Sequence, residues 1–166
     1  MIRFCVICGS SMAEVLLPTE DRARLVCEEC GYVHYVNPHV VGACLPIEDG
    51  SVWLLRRGID PRYGYWTYPA GYQEVDESTE GAAIRETLEE LGCHVELERL
   101  LGVYSRLAAP VVIVYLAHLA PNSPRPATSK EAIEVRAFRP QDIPWDDLAF
   151  PSTHQALRDW VGQLVD

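Results

Sequence analysis

Two cysteine pairs, Cys5-x2-Cys8 and Cys27-x2-Cys30, stand 18 residues apart near the start of the chain and most tightly constrain what it can fold into. Each pair makes a tight knuckle with converging thiolates, and two knuckles complete a tetrahedral four-sulfur zinc site with no open position. Gly9 and Gly31 each follow the second cysteine of a pair, where a Cβ is expected to crowd the backbone turning back toward sulfur. Disulfides would need an oxidising compartment, and a redox CxxC would need a thioredoxin-like unit that the pattern lacks. About 35 residues cannot bury an adequate core alone, so metal binding supplies the folding free energy of this segment. The expectation is a structural zinc ribbon over residues 1–36, with zinc held by Cys5, Cys8, Cys27 and Cys30 and no position left for catalysis. Cys44 and Cys93 read instead as small buried hydrophobes.

The 166-residue length suits one domain with such an appendage. Hydrophobic residues at 48% and charged residues at 23% are ordinary globular composition. No run of about 18 apolar residues occurs, and the cysteine pair precedes any signal-like stretch, so the reading is a cytoplasmic chain without a membrane segment. Asn37-Pro38 marks a boundary, and a β/α alternation follows over residues 37–166. Val40–Ile47 and Ser51–Arg57 read as a hairpin closed by Glu48-Asp49-Gly50. Leu97–Ser105, Val111–Ala120 and Glu134–Arg139 are further strands, and residues 121–126 (PNSPRP) a loop. Ser152–Val165 reads as a terminal helix with Ser152 as its N-cap.

Charge narrows the partners. Lys+Arg number 14 against 24 Asp+Glu, a net charge of -10 that repels a phosphate backbone and argues against nucleic acid as the main partner. Nine of the acids lie between Gly71 and Glu98, where the only base is Arg85. Gly71–Glu77 reads as a loop, followed by a helix over Ser78–Leu91 that Gly92 ends. Ile84, Thr87, Leu88 and Leu91 form one stripe of that helix, and Glu86, Glu89 and Glu90 the opposite side. Carboxylates at i, i+3 and i+4 converge and repel unless a cation lies between them. Hard oxygen ligands in that number suit Mg²⁺ or Mn²⁺. On spacing alone, an exposed acidic helix face competes with this cation site.

The wider pattern is more selective. Gly71, five residues, Glu77, seven residues, then Arg85-Glu86-Thr87-Leu88-Glu89-Glu90-Leu91-Gly92-Cys93 resembles the Nudix box, G-x5-E-x7-R-E-U-x-E-E-x-G-U. Every fixed position is filled, with Thr87 and Cys93 at two bulky-aliphatic places. Tyr65–Tyr72 is similar to the family's G-x-W-x-x-P-G-G approach, and Leu54-Leu55-Arg56-Arg57 to its L-L-x-x-R strand. A zinc ribbon ahead of the domain resembles two subgroups, the NADH pyrophosphatases and the plant-type FAD/ADP-ribose diphosphatases. The fold implied is an α/β/α sandwich around a mixed sheet.

The resemblance also implies roles. Glu86 and Glu90 would ligate Mg²⁺ or Mn²⁺, with Glu89 assisting and the carbonyl of Ala70 or Gly71 as a further ligand. Glu77 would pair with Arg85 and fix the loop against the helix. A downstream glutamate adds a ligand in the ribbon-bearing relatives, and Glu134 is assigned to that place. Glu86, Glu89 and Glu134 are alternative general bases. Apart from the resemblance, Arg56 or Arg57 is a candidate for the substrate phosphates, against a solvated strand end, and Tyr65, Tyr72 and Tyr104 are candidates to stack an adenine, against simple packing, with Tyr72 taken as the substrate-binding ring. The reaction implied is hydrolysis of a nucleoside diphosphate linked to another group. The S-Q-P-W-P-F-P-x-S motif of NADH pyrophosphatases is missing from Gly102–Pro110, which counts against NADH, and the run from Cys5 through Asn37-Pro38, the Pro69-Ala70-Gly71-Tyr72 segment and the Asp142-Ile143-Pro144-Trp145 tail look more like the FAD/ADP-ribose group. ADP-ribose or FAD, releasing AMP, is the substrate expected, with NADH or NAD, including NAD-capped RNA, as the alternative. A nucleotide-sensing regulator is the alternative from another class. A homodimer is expected.

Overall fold

In the ribbon, β1 (Met12–Leu16), β2 (Ala23–Cys27) and β3 (Val33–His34) form an antiparallel sheet in the order β1-β2-β3. The structure, a computed structural model, describes residues 2–164 and divides into two compact units, Met1–Asn37 and Pro38–Asp166.

The second unit begins with β4 (Val40–Glu48) and β5 (Ser51–Arg57). Glu48 pairs with Ser51, leaving Asp49 and Gly50 as a two-residue turn with φ of 49° and 73°. Both values are left-handed, as the Asp-Gly sequence of a tight hairpin requires. Two short strands follow, β6 (Trp66–Thr67) beside β5 and β7 (Ala70–Tyr72) beside β4, the second taking in Gly71 and Tyr72 of the expected loop. Helix α1 (Thr79–Leu91) comes next. The Ser78 hydroxyl caps it by accepting from the Gly81 N–H at 3.1 Å, and Gly92 closes it.

β8 (Val95–Tyr104), β9 (Val111–Leu119) and β10 (Ala132–Phe138) complete a mixed sheet in the order β10-β5-β4-β9-β8, parallel only between β4 and β9. Two 3₁₀ turns lead into α2 (Pro151–Gly162). α2 begins with Phe150 in the N-cap position and Pro151 in its first turn, so Ser152 is not its cap. A proline, having no N–H to satisfy, starts the helix in place of a capping side chain. Val165, the expected end, lies outside the described residues.

Strand alternation explains the two layers of core. Ala43 and Leu45 of β4, Leu54 of β5, and Val114 and Leu116 of β9 pack with Ala156, Leu157 and Trp160 of α2. Their neighbours Cys44, Leu55, Tyr115 and Ala117 pack on the other face with Ala83 and Leu91 of α1. Strands buried on both faces read as continuous apolar runs, which is how β4 and β9 read in the sequence. The result is the expected α/β/α sandwich.

The apolar stripe of α1 is narrower than expected. Ile84 and Leu88 are exposed, whereas Ala82, Ala83, Thr87, Leu91 and also Glu90 are buried. Small residues win because α1 lies directly against β4. A Cβ on Gly42 would stand 2.5 Å from the Thr79 carbonyl oxygen and 2.9 Å from the Ala83 nitrogen. Among the described residues no helix is long and apolar enough to cross a membrane.

Candidate active site

β7 and α1 assemble the acidic site. The register Gly42↔Gly71 and Ala43↔Ala70 lays β7 along β4, against Glu86 and Glu90 in the second half of α1. Ala70 donates its N–H to Glu90 Oε2 at 2.9 Å. A Cβ on Gly71 would collide with the Glu86 carboxylate, so only glycine lets that side chain approach the strand. Arg85 ties these pieces together. Its Nε donates to Glu77 Oε2 at 3.1 Å and its Nη2 to Glu77 Oε1 at 2.6 Å and to the Tyr72 carbonyl at 3.0 Å. Nη1 donates to Glu86 Oε1 at 2.6 Å and approaches Glu89 Oε2 at 3.5 Å. Glu77 also accepts the Glu74 N–H at 2.9 Å, and the Gln73 side-chain amide donates to the Glu77 carbonyl at 2.6 Å. The loop between β7 and α1 is thus held by a fork of charged hydrogen bonds.

The electrostatics are costly. Glu90 is 7% exposed, and burial pushes its carboxyl up to about 8, against the pull of the Ala70 N–H. Burial also raises Glu86, although the Arg85 guanidinium opposes it. The negative charge of Glu131 adds to both shifts. Arg85 is the basic side chain bonded to Glu86 and Glu89, and Glu77 already shares it. The unpaired carboxylate oxygens are hard donors in excess of local cations, a donor set that fits Mg²⁺ or Mn²⁺.

These groups line one wall of a cleft of about 960 Å³, at the upper end of small-molecule sites. Glu86, Glu89, Glu90, Ala70, Gly71, Arg85, Arg57 and Tyr72 all line it. Glu77 stands behind Arg85. Two expected site residues are elsewhere. In the β10–β5 register Glu134 lies opposite Arg56, and the two form an exposed ion pair at 3.3 Å. Arg56 Nε also donates to the Gly64 carbonyl at 2.7 Å. Successive residues of a strand face opposite ways, so Arg57 reaches the cleft and Arg56 does not. The downstream acid on the cleft wall is Glu131, just before β10, whose negative charge raises both Glu86 and Glu90. Its signal was present in Glu131-Ala132-Ile133-Glu134, but the choice between the two acids depended on where the strand begins. Tyr72 is exposed, its ring tilted 5.2 Å from that of His39. Tyr104 donates its hydroxyl to Asp159 Oδ2 at 2.8 Å.

In the ribbon, the four sulfurs of Cys5, Cys8, Cys27 and Cys30 all lie within 4.8 Å of one another, with Cys8–Cys27 at 3.4 Å and Cys5–Cys30 at 3.7 Å. A tetrahedron with Zn–S bonds of about 2.3 Å has edges of roughly 3.8 Å, and the four cysteines are free of disulfides. The donor set therefore fits zinc. Gly9 and Gly31 have φ of 78° and 71°, and a Cβ there would meet open space. Crowding is not the reason for glycine at these positions. The left-handed backbone is. Cys44 and Cys93 are buried, their thiols pushed up to about 12 and about 11 by burial, and Cys44 pairs with the Thr87 hydroxyl at 2.8 Å.

The chain is 35% identical to a NUDIX hydrolase from Nitrosomonas europaea of known crystal structure, with a TM-score of 0.90 over 98% of this chain and 92% of that one. It is 35% identical over 74 residues to an ADP-ribose pyrophosphatase of Methanocaldococcus jannaschii (45% of this chain, 44% of that one). It is 32% identical over 105 residues to the NAD-capped RNA hydrolase NudC of Haemophilus influenzae (60% of this chain, 37% of that one). The chain spans less than half the length of each of these two curated relatives. Residues 3–36 match the Nudix N-terminal zinc-ribbon family, and residues 36–161, most of the chain, match the NUDIX domain family. With the box resting on β7 and α1 of a mixed-sheet sandwich, the chain belongs to the Nudix family.

Proposed function

We propose that this protein is a Nudix hydrolase that cleaves the diphosphate bond of a nucleoside diphosphate linked to another group, with ADP-ribose or FAD as substrate and AMP as a product. The observation that carries the reading is the gathering of Glu86, Glu89, Glu90 and Glu131 on one wall of the cleft, beside the Ala70–Gly71 backbone. These carboxylates, with the Ala70 carbonyl, would hold Mg²⁺ or Mn²⁺, Glu131 taking the place first assigned to Glu134. Bound there, such an ion neutralises charge on the phosphate oxygens during in-line displacement. Water oxygen forms the new bond to phosphorus, the bridging oxygen leaves with the second phosphate, and a carboxylate on the wall accepts the water's proton. Glu86, Glu89 and Glu131 are the candidates for that role. Glu77 and Arg85 are positioning residues that hold the loop and Glu86 in place. Arg57, on the cleft wall, binds substrate phosphate, and Tyr72 offers an exposed ring at its mouth. The ribbon carries structural zinc. We take the protein to work as a homodimer in the cytoplasm, which a monomeric mass by light scattering would contradict.

Hydrolysis of NADH, NAD or a NAD-capped RNA end is the second reading. It is favoured by the likeness to the NAD-capped RNA hydrolase and opposed by the missing motif at Gly102–Pro110. Chromatography of products from FAD, ADP-ribose, NADH and NAD⁺ with Mg²⁺ or Mn²⁺ separates the two. AMP from FAD or ADP-ribose is expected, falling by a factor on the order of 10²–10³ in Glu90→Gln. AMP mainly from NADH would favour the second reading. No turnover of any substrate would leave a nucleotide sensor.

A further inference from the structure

We propose that the first turn of α2 and the hydroxyl of Tyr68 form an anion subsite in the cleft, which takes the substrate phosphate adjacent to the one held at the carboxylate wall. α2 has no side-chain cap at its start. The N–H groups of Ser152 and Thr153 have no acceptor among the described residues, and the first helical bond runs from the His154 N–H to the Phe150 carbonyl at 3.1 Å. Pro151 has no N–H to offer. Free donors at the positive end of a 12-residue helix favour an anion, and Phe150, Pro151, Ser152 and Thr153 all line the cleft.

Tyr68 points to the same place independently. It is 2% exposed and lines the cleft, yet its hydroxyl has no hydrogen-bond partner among the described residues. Burial raises its pKa, and the Ser152 and Thr153 side chains at the start of α2 act on it in the opposite sense, while Thr153 Oγ1 is already paired with Thr67 Oγ1 at 3.0 Å. A buried, unpaired O–H is costly unless an acceptor from outside the chain meets it. Burial pushes the phenol up to about 12, so it remains a donor throughout the neutral range.

Arg57 links this end to the carboxylates. Its guanidinium carbon lies 5.1 Å from the centre of the Phe150 ring, and its charge also acts on Glu90. At the start of α2 the Ser152 and Thr153 N–H groups and the Tyr68 hydroxyl are free to donate and Arg57 carries positive charge, and an acceptor-only group such as a phosphate is their complement. A diphosphate brings two such groups side by side, one for each end of the reach of Arg57. This assignment rests on the reading of the substrate as a diphosphate.

Two variants of the full chain test it. Inorganic phosphate is titrated calorimetrically without added divalent ion, and KM and kcat are measured on ADP-ribose with Mg²⁺. Tyr68→Phe removes only the hydroxyl. The expected result is a roughly tenfold rise in both the phosphate Kd and KM, a kcat within about twofold, and a Tm unchanged or higher. Ser152→Asp places a carboxylate in the first turn, which suits the helix dipole and keeps Tm, while weakening phosphate binding by about tenfold or more. Unchanged phosphate binding and KM in both variants would overturn the subsite, whatever happens to Tm. If no diphosphate is hydrolysed but phosphate binding falls in both variants, the subsite stands and the hydrolase reading fails. Turnover with unaltered binding in both variants has the opposite meaning.

Discussion

Among residues 2–37 only Cys5 and Cys27 are buried, and Phe4, Val6 and Ile7 stand 64%, 68% and 69% exposed. In the second unit, Leu45, Leu54, Leu55, Val114 and Leu157 are fully shielded, in two layers on either side of the sheet. A short chain has too little apolar area to offset its conformational entropy, so a closed set of four thiolates does what burial does in the longer unit. The ribbon cysteines and the glutamates proposed as metal ligands differ in the same sense. Among the described residues, the cysteines are the metal-ligating group drawn within 4.8 Å of one another. The glutamates instead share the wall of an open cleft. A structural site closes on its ion, whereas a catalytic one leaves positions for water and substrate.

The most disruptive way to break that contrast is Cys27→Ser. Zinc content, measured by atomic absorption, should fall from about one per chain to near zero, and residues 3–36 should become protease-sensitive. The second unit should keep its cooperative melting, and loss of that transition would show that the two units do not stabilise themselves separately. Two glycine substitutions sharpen the difference between core and site. Gly42→Ala drives a methyl group into the backbone of α1, which cannot yield, and should cost about 1–3 kcal/mol in chemical denaturation. Gly71→Ala meets the end of the Glu86 side chain instead of backbone. It should leave Tm nearly intact while turnover drops by roughly a hundredfold, because the carboxylate is displaced. Equal effects of both substitutions on stability would contradict the packing described here.

The smallest effect is expected at Glu77→Gln. The Arg85 guanidinium holds the Glu77 carboxyl below the usual 4.5, with help from the Glu74 N–H. A group with a lowered folded-state value contributes stability above its unfolded value and loses it as pH falls through the folded one. The variant should therefore melt a few degrees below the parent near neutral pH, with the gap closing as pH drops below about 4.5. A gap that persists or widens in acid would assign the Glu77 contribution to something other than its charge.

Features fixed by local spacing were legible without a structure. The knuckles need only Cys-x2-Cys and a following glycine. The β4–β5 turn needs Asp49-Gly50, and α1 needs Ser78 at one end and Gly92 at the other. The fork of Arg85 on Glu77 was implied by the box and appears in the structure with bond lengths of 2.6 and 3.1 Å. Features that depend on packing were not. Periodicity placed Ile84 and Leu88 inward, but the close approach of α1 to β4 selected Ala82 and Ala83 and buried Glu90.

Strand register decided the rest. Glu131 and Glu134 are chemically identical and three residues apart, and Arg56 and Arg57 are adjacent. Only the pairing of β10 with β5 turns Glu134 and Arg56 toward each other and leaves Glu131 and Arg57 on the cleft. Tyr68 carried no sequence signal, because an unpaired hydroxyl is a property of its surroundings. The family, the four-cysteine cluster, the position of the acidic set, the caps of α1 and the β4–β5 turn were set by the sequence alone, since each rests on residues a few positions apart, whereas the expected Ser152 cap of α2 was not met. Tertiary structure decided which acid, which arginine and which helix end face the cleft, because those choices depend on contacts between residues far apart in the chain.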